Sequence, residues 1–548
     1  MIGVSVQPAE KNAVREFFEL CKTPWEFCQD GQRYEVILTT GEAPSAGNSA
    51  LVLIYNSTLG GQHPVTFRNE GFVLSYGEKH LPIYGKAATF PQSPNRLAVD
   101  DKKSEPAIFA WRQDATTIVR IGYNLFDEVR LLLSNGQPVS HAGEPTMELH
   151  IQLLRDLVTR AGIPLLEIPP VPEGSNFIAC LTHDIDHPVL RNHCGDATMF
   201  GFLYRATLGA LANACRGRIS LGRMMRNWAA AVRLPLVYLG IARDFWSEFD
   251  DYVQLEARMG ATYFFIPESG NPGRKRSGSA PAKRACRYTV EELKPQIQRI
   301  LAAGNEVGLH GLNAWLEADD GRREKDRIAT VTASAELGVR MHWLYFDERS
   351  PAALDAAGFS YDSTVGYNQA IGYRAGTTQV YRPLEARHLL ELPLHVMDTA
   401  LFYPNYLNLD EEEAIRRVTS LIEDFSRFGG VFTVNWHDRS IFPERLWGEA
   451  YAKLLLILQQ RGVWFGTGAR VVAWFRQRRS AVVESFVTEP GGVRVRARLT
   501  KLDSALPGLR IRIHRPHISS SVEPLAAGPD LGFVDASFNH TIDLHIAL

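Results

Sequence analysis

Thr182-His183-Asp184-Ile185-Asp186-His187 places two carboxylates and two imidazoles within six residues. Buried together, such groups cost desolvation energy unless a metal ion or a reaction engages them. Two later segments each deliver a histidine: Gly304-Asn305-Glu306-Val307-Gly308-Leu309-His310 and Phe432-Thr433-Val434-Asn435-Trp436-His437-Asp438. Carboxylate and imidazole are divalent-metal donors and also the groups that move protons in hydrolysis. The chemistry they suggest is that of a metallohydrolase. Stepping from residues to elements, Phe177–Leu181 is an apolar run that reads as a buried strand ending in the acidic motif. The other two segments are also short apolar or β-branched runs with a histidine at the C-terminal end. Parallel α/β architectures gather their ligands and catalytic groups at that edge.

In this order the three segments resemble the NodB-type polysaccharide deacetylases (carbohydrate esterase family 4-like), over residues 170 to 480. The resemblance implies a distorted (β/α) barrel that removes acyl groups from amide nitrogens with a divalent metal, zinc being the expected ion. The family's opening Thr-Phe-Asp-Asp-like motif appears here as Thr182-His183-Asp184-Ile185-Asp186, with one residue inserted between the acids. By that likeness Asp184 is the general base and Asp186 a metal ligand. Ala261–Pro267 resembles the second core strand, and Asn305–His310 resembles the Glu-Ile-Gly-x-His segment, which makes His310 a ligand. His437 is the implied general acid. Arg340 stands where the family's third motif places an arginine that pairs with the base. The family's second metal-binding histidine, four residues after the first, is replaced by Ala314. His342 is the favoured third ligand, with His183, His187 and Asn313 as the other candidates.

The chemistry needs these residue types. An amide is a poor electrophile, so a Lewis acid must polarise its carbonyl. Asp184 can take the proton of a water, and the amine leaves only when protonated, which suits a histidine. Asp362 or Asp398 could hold His437 in its charged form. Trp343, Tyr367 and Trp436 could stack on a sugar, although core packing is expected of at least one. His183 and His187 lean towards structural roles. The expected activity is removal of N-acetyl groups from an amino sugar in a polysaccharide or its precursor. One alternative is hydrolysis of a non-sugar C–N bond on the same fold. The other, favoured by Ala314, is a catalytically silent carbohydrate-binding or assembly protein.

Around this core, 548 residues with 45% hydrophobic and 22% charged composition predict a globular, multidomain chain. A formal net charge of -2 gives no electrostatic case for nucleic acid. Six cysteines show no Cys-x-x-Cys, and Met1–Lys11 lacks a basic start before an apolar core, so a cytoplasmic location is expected. Residues 1–168 read as an α/β domain, with a helix over 13–27 and strands at 33–39 and 50–55. Pro164–Pro172 reads as a linker, 169–480 as the barrel, and 481–548, with its period-two alternation, as a small antiparallel β module. An insertion over 193–249 holds apolar and arginine-rich stretches. Packing as a helical hairpin is its ordinary reading, and peripheral membrane contact through 198–243 is the other. Gly270–Arg287, rich in Gly, Ser, Pro, Lys and Arg, reads as a mobile, solvated loop.

Overall fold

The computed structural model describes all residues except 43–48, 59–64, 70, 94–95, 103, 243, 245, 247–248, 443, 446 and 518–531. The runs that end in the chemical motifs form one parallel sheet. Its strands are β1 (Ile178–Ile185), β2 (Ala261–Phe265), β3 (Glu306–Gly311), β4 (Gly338–Met341), β5 (Tyr361–Asp362), β6 (Leu390–Glu391), β7 (Val396–Met397), β8 (Val431–Asn435) and β9 (Trp464–Phe465). Hydrogen bonding runs in the order β6-β5-β4-β3-β2-β1-β8-β7, with β9 against the start of β1. No pairing closes β6 onto β7, so the distorted (β/α) barrel is open there. Every residue of β1 is buried, as expected of a central parallel strand covered on both faces.

The helices outside the sheet are built by ordinary amphipathic logic. The one leading into β8, Glu411–Phe428, starts on Asp410, whose side chain accepts from Glu413 N–H, and carries three glutamates in its first turn. It buries Ala414, Val418, Leu421, Ile422 and Phe425 at helical spacing and ends at Gly429, where φ is 78°. Register then aligns the chemistry: Thr182 of β1 sits beside Asn435 of β8, and His310 of β3 beside Arg340 of β4.

The N-terminal segment forms its own nine-stranded mixed sheet, with helices Lys11–Cys21, Leu125–Ser134 and Thr146–Arg160. The helix expected over 13–27 stops early. Lys22 turns left-handed (φ 49°), Pro24 has no amide hydrogen, and Trp25–Phe27 becomes an edge strand parallel to Ile2–Ser5. The C-terminal segment forms two three-stranded sheets, one of which recruits Leu165–Glu167 against Leu509–His514. The stretch read as a linker is therefore partly a strand.

In the insertion, Ala197–Tyr204, a π-helical turn and Ala210–Cys215 form one helical run, and Leu221–Tyr238 forms the second. Most of the Gly270–Arg287 segment is exposed, as expected of a solvated loop, but it is anchored at several arginines. Arg284 is 1% exposed, Arg276 pairs with Asp347, and Arg274 pairs with Asp320.

Candidate active site

Side chains on a strand alternate between faces, so residues two apart share one. That period sets the roles at the end of β1. Asp184 and Asp186 face the cavity, while His183 turns away. The His183 ring sits against Tyr252 and Tyr263, and its nitrogens bond Glu256 and the Trp436 carbonyl, each at 2.8 Å.

Asp186, His310 and His342 bring one ligand atom each to within 4.8 Å of one another. Backbone acceptors fix both ring tautomers. His310 Nδ1 donates to the Arg340 carbonyl (3.0 Å), leaving Nε2 bare at 3.4 Å from Asp186 Oδ1. His342 Nε2 donates to the Arg284 carbonyl (3.1 Å), leaving Nδ1 bare at 3.3 Å from the same oxygen. The two bare nitrogens lie 2.9 Å apart, and Asp186 Oδ1 is buried without a hydrogen-bond partner. Three acceptors facing one another repel unless a cation lies among them, so these residues fit a divalent metal of the zinc type. Burial pushes His342 down to about 4 despite the pull of Asp186, which keeps it neutral. Burial alone would raise the Asp186 carboxyl, but the protonated His437 that faces it draws it below its ordinary value.

Asp184 lies beside this triad, its Oδ2 3.8 Å from His310 Nε2. Arg340 Nη1 donates to its Oδ1 (3.1 Å) and Asn435 Nδ2 to its Oδ2 (2.8 Å). Burial opposes the charged form, yet His310, Arg340 and His437 hold the Asp184 pKa below its usual value. Across the cavity, His437 Nδ1 meets Asp398 Oδ1 at 2.6 Å, and its Nε2 stands 3.9 Å from Asp186 Oδ2. Burial would lower the imidazole, but Asp398, Asp186 and Asp184 outweigh it and push it up to about 10.

These groups line a cavity of about 510 Å³. His187 and Trp343 also line it, and His187 Nδ1 has no partner. The other candidates lie elsewhere. Asn313 turns to the Arg274 amide, Asp362 bonds Thr364, Tyr367 donates to the Gln137 carbonyl, and Trp436 is buried beside Tyr451. Of the two carboxylates considered for His437, Asp398 makes the contact. Ala314 is fully buried in the apolar core. His342 reaches the triad instead through two consecutive left-handed residues, Trp343 (φ 60°) and Leu344 (φ 52°).

Sequence reasoning missed Asn435, Arg284, Arg439, Arg445 and Tyr403. Asn435 was within reach, because it lies two residues before His437 at a strand end. Arg284 gave no signal: its guanidinium donates to the carbonyls of Pro272, Leu312 and His342, while its own carbonyl holds the His342 ring.

No protein-family model matches this sequence, and no curated protein matches it. Among solved structures it is similar to a Mycobacterium smegmatis protein assigned as a polysaccharide deacetylase. That match has 18% identity and TM-score 0.34, and covers 59% of this chain and 99% of the other. It is similar to Puue allantoinase at 12% identity and TM-score 0.34, covering 56% and 92%. It is also similar to BA3943, a CE4 family pseudoenzyme from Bacillus anthracis, at 13% identity and TM-score 0.26, covering 56% and 68%. Over a little more than half its length the chain is thus similar to polysaccharide deacetylases of the CE4 family and to an allantoinase.

Proposed function

We propose that this chain is a metal-dependent amide hydrolase whose substrate is an N-acetylated amino sugar in a polysaccharide or its precursor. The observation that carries this reading is the convergence of Asp186 Oδ1 with the bare nitrogens of His310 and His342, flanked by Asp184 and His437. Asp186, His310 and His342 would hold the ion, which when bound supplies a Lewis acid for the amide carbonyl and for water. Asp184, kept ionised and oriented by Arg340 and Asn435, accepts the proton of the attacking water. His437 is held protonated by Asp398 and donates from Nε2 to the departing nitrogen as the C–N bond breaks. One water is consumed, and a carboxylic acid and an amine are released. Trp343, Tyr403 and Tyr406 line the cavity and offer ring faces to a sugar, which supports the carbohydrate assignment.

Acetate release from N-acetylglucosamine oligomers in the presence of zinc tests the reading. The wild type is expected to release acetate, and Asp184→Asn and His437→Ala to lose at least about a hundredfold in rate while keeping the fold. Unchanged activity in both variants would remove the mechanism. Inactivity of the wild type on every acetylated sugar would remove the substrate.

A further inference from the structure

Two arginines of the cavity have no carboxylate within ion-pair distance among the described residues. Arg439 and Arg445 line that cavity together with the triad and His437. Among the described residues neither guanidinium forms an ion pair. Arg439 lies over Trp246 at 5.4 Å. Arg445 lies over Trp447 at 5.1 Å and reaches only the Tyr403 hydroxyl, at 3.5 Å. It is 8% exposed, and its Nε is buried without a partner. A third guanidinium, Arg205 from the insertion, sits in the same electrostatic neighbourhood, and its Nε is also unpartnered. Glu444 lies in the field of all three, but its Oε1 has no hydrogen-bond partner. With a divalent ion bound and His437 protonated, three positive charges at the centre balance Asp184, Asp186 and Asp398, so those carboxylates are not free to neutralise the two arginines. Asp438 and Glu444 lie in the field of these arginines, but among the described residues neither forms an ion pair with Arg439 or Arg445. An unpaired buried charge is costly, and the planar guanidinium fork matches carboxylate or phosphate.

We propose that Arg439 and Arg445, backed by Arg205, form an anion subsite, which binds a carboxylate or phosphate carried by the amide substrate. This rests on the amide-hydrolase reading, and the test separates the two. Calorimetric titration of the full chain with inorganic phosphate and, separately, acetate reads the subsite without turnover. Phosphate or acetate binding is expected in the wild type and in Asp186→Asn, weakened at least about tenfold in Arg439→Gln/Arg445→Gln. The paired lysine variant, which keeps charge but loses the fork, should fall between. Whichever oxyanion binds more tightly names the substrate group, and N-acetylglucosamine 1-phosphate against N-acetylmuramic acid repeats the comparison in kcat/KM. Equal binding by wild type and the glutamine variant, or no binding of either anion, overturns the subsite. Anion binding without hydrolysis of any amide would leave the subsite standing and sink the hydrolase reading.

A different observation carries a second inference. Among the described residues, eleven of the twenty-two large apolar side chains left exposed fall between Phe200 and Ile241. They repeat at helical spacing, as Phe200, Tyr204 and Leu208 on one run and Leu221, Met225 and Val232 on the other, with Val232 78% exposed. From Ala197 to Arg243 the sequence holds seven arginines and no aspartate or glutamate. Two copies joined face to face would set arginines against arginines. An anionic bilayer answers both the charge and the apolar faces. No helix among the described residues is long and apolar enough to cross a membrane, so the hairpin would lie along the surface. It adjoins the cavity through Trp246, which packs on Phe202 of the hairpin and under Arg439 of the cavity wall.

We infer that this hairpin docks on an anionic phospholipid surface and presents the cavity to substrate there. The full chain is expected to co-sediment with phosphatidylcholine–phosphatidylglycerol vesicles and not with phosphatidylcholine alone. Leu221→Glu/Val232→Glu, at exposed positions, should abolish co-sedimentation with melting temperature unchanged. A wild type that stays in the supernatant, or a variant that binds equally, overturns the inference. So does a wild-type dimer in light scattering that the variant converts to monomer.

Discussion

At Asp186 Oδ1 two imidazole nitrogens and a carboxylate oxygen meet with every outward N–H already given to a carbonyl. Proton positions therefore distinguish the two sides of the cavity: the ligand side is bare, and the His437 side is protonated. Because Asp398 raises the His437 pKa, Asp398→Asn should lower it. A general acid must start protonated, so activity falls as pH rises through its pKa. The alkaline limb of the kcat/KM profile is then expected to move to lower pH in Asp398→Asn by a unit or more, about 1.4 kcal/mol per unit. A limb that stays in place would mean that His437 is not the acid. Much of this scale was legible in the sequence. The Asp-x-Asp spacing fixes a shared face through the strand period, and each histidine follows an apolar run. Choosing between Asp362 and Asp398 was not possible, because that depends on which loop lies over β8.

At the scale of elements, the segment around Arg284 acts as a clasp on the His342 turn. Its carbonyl fixes the ring, and its guanidinium ties down the carbonyls of His342 and Leu312. Arg284→Ala is expected to weaken metal affinity about 10–100-fold with the three ligands intact, as loss of an orienting partner does. Metal titration against a chelator measures this, and an unchanged affinity would show that the turn holds itself. Composition suggested a solvated loop here because Gly, Ser, Lys and Arg dominate it. The burial of one arginine against three carbonyls leaves no periodic trace. His342 itself was reachable as a histidine two residues beyond Arg340, but the left-handed pair that aims it carries no glycine to mark it.

Across the whole molecule, the N-terminal segment is pinned to the barrel through buried polar groups. Glu148 Oε1 accepts from Thr377, Thr378 and Gln379, while Oε2 is buried without a partner. Burial outweighs these hydrogen bonds and pushes Glu148 up to about 7. The folded state then holds a proton that the unfolded chain releases near 4.5. This contribution is fully present below the lower value and is lost as pH rises through the upper one, a change of roughly 3 kcal/mol. Glu148→Gln should flatten the stability slope between pH 4.5 and 7 in denaturant titrations, and an unaltered slope would assign it to other groups. The change from mixed to parallel to antiparallel sheet along the chain follows its change in texture. The docking was not legible, nor was the pairing of Leu165–Glu167 with strands more than three hundred residues later, since both depend on long-range burial.

Binding of a divalent metal by Asp186, His310 and His342 is tested by elemental mass spectrometry of purified protein. Near-stoichiometric zinc or another divalent ion is expected in the wild type, lost in Asp186→Ala and in His342→Ala with the fold retained by circular dichroism. Wild type that stays metal-free after incubation with zinc, or a His342→Ala variant that keeps its full metal content, would contradict it.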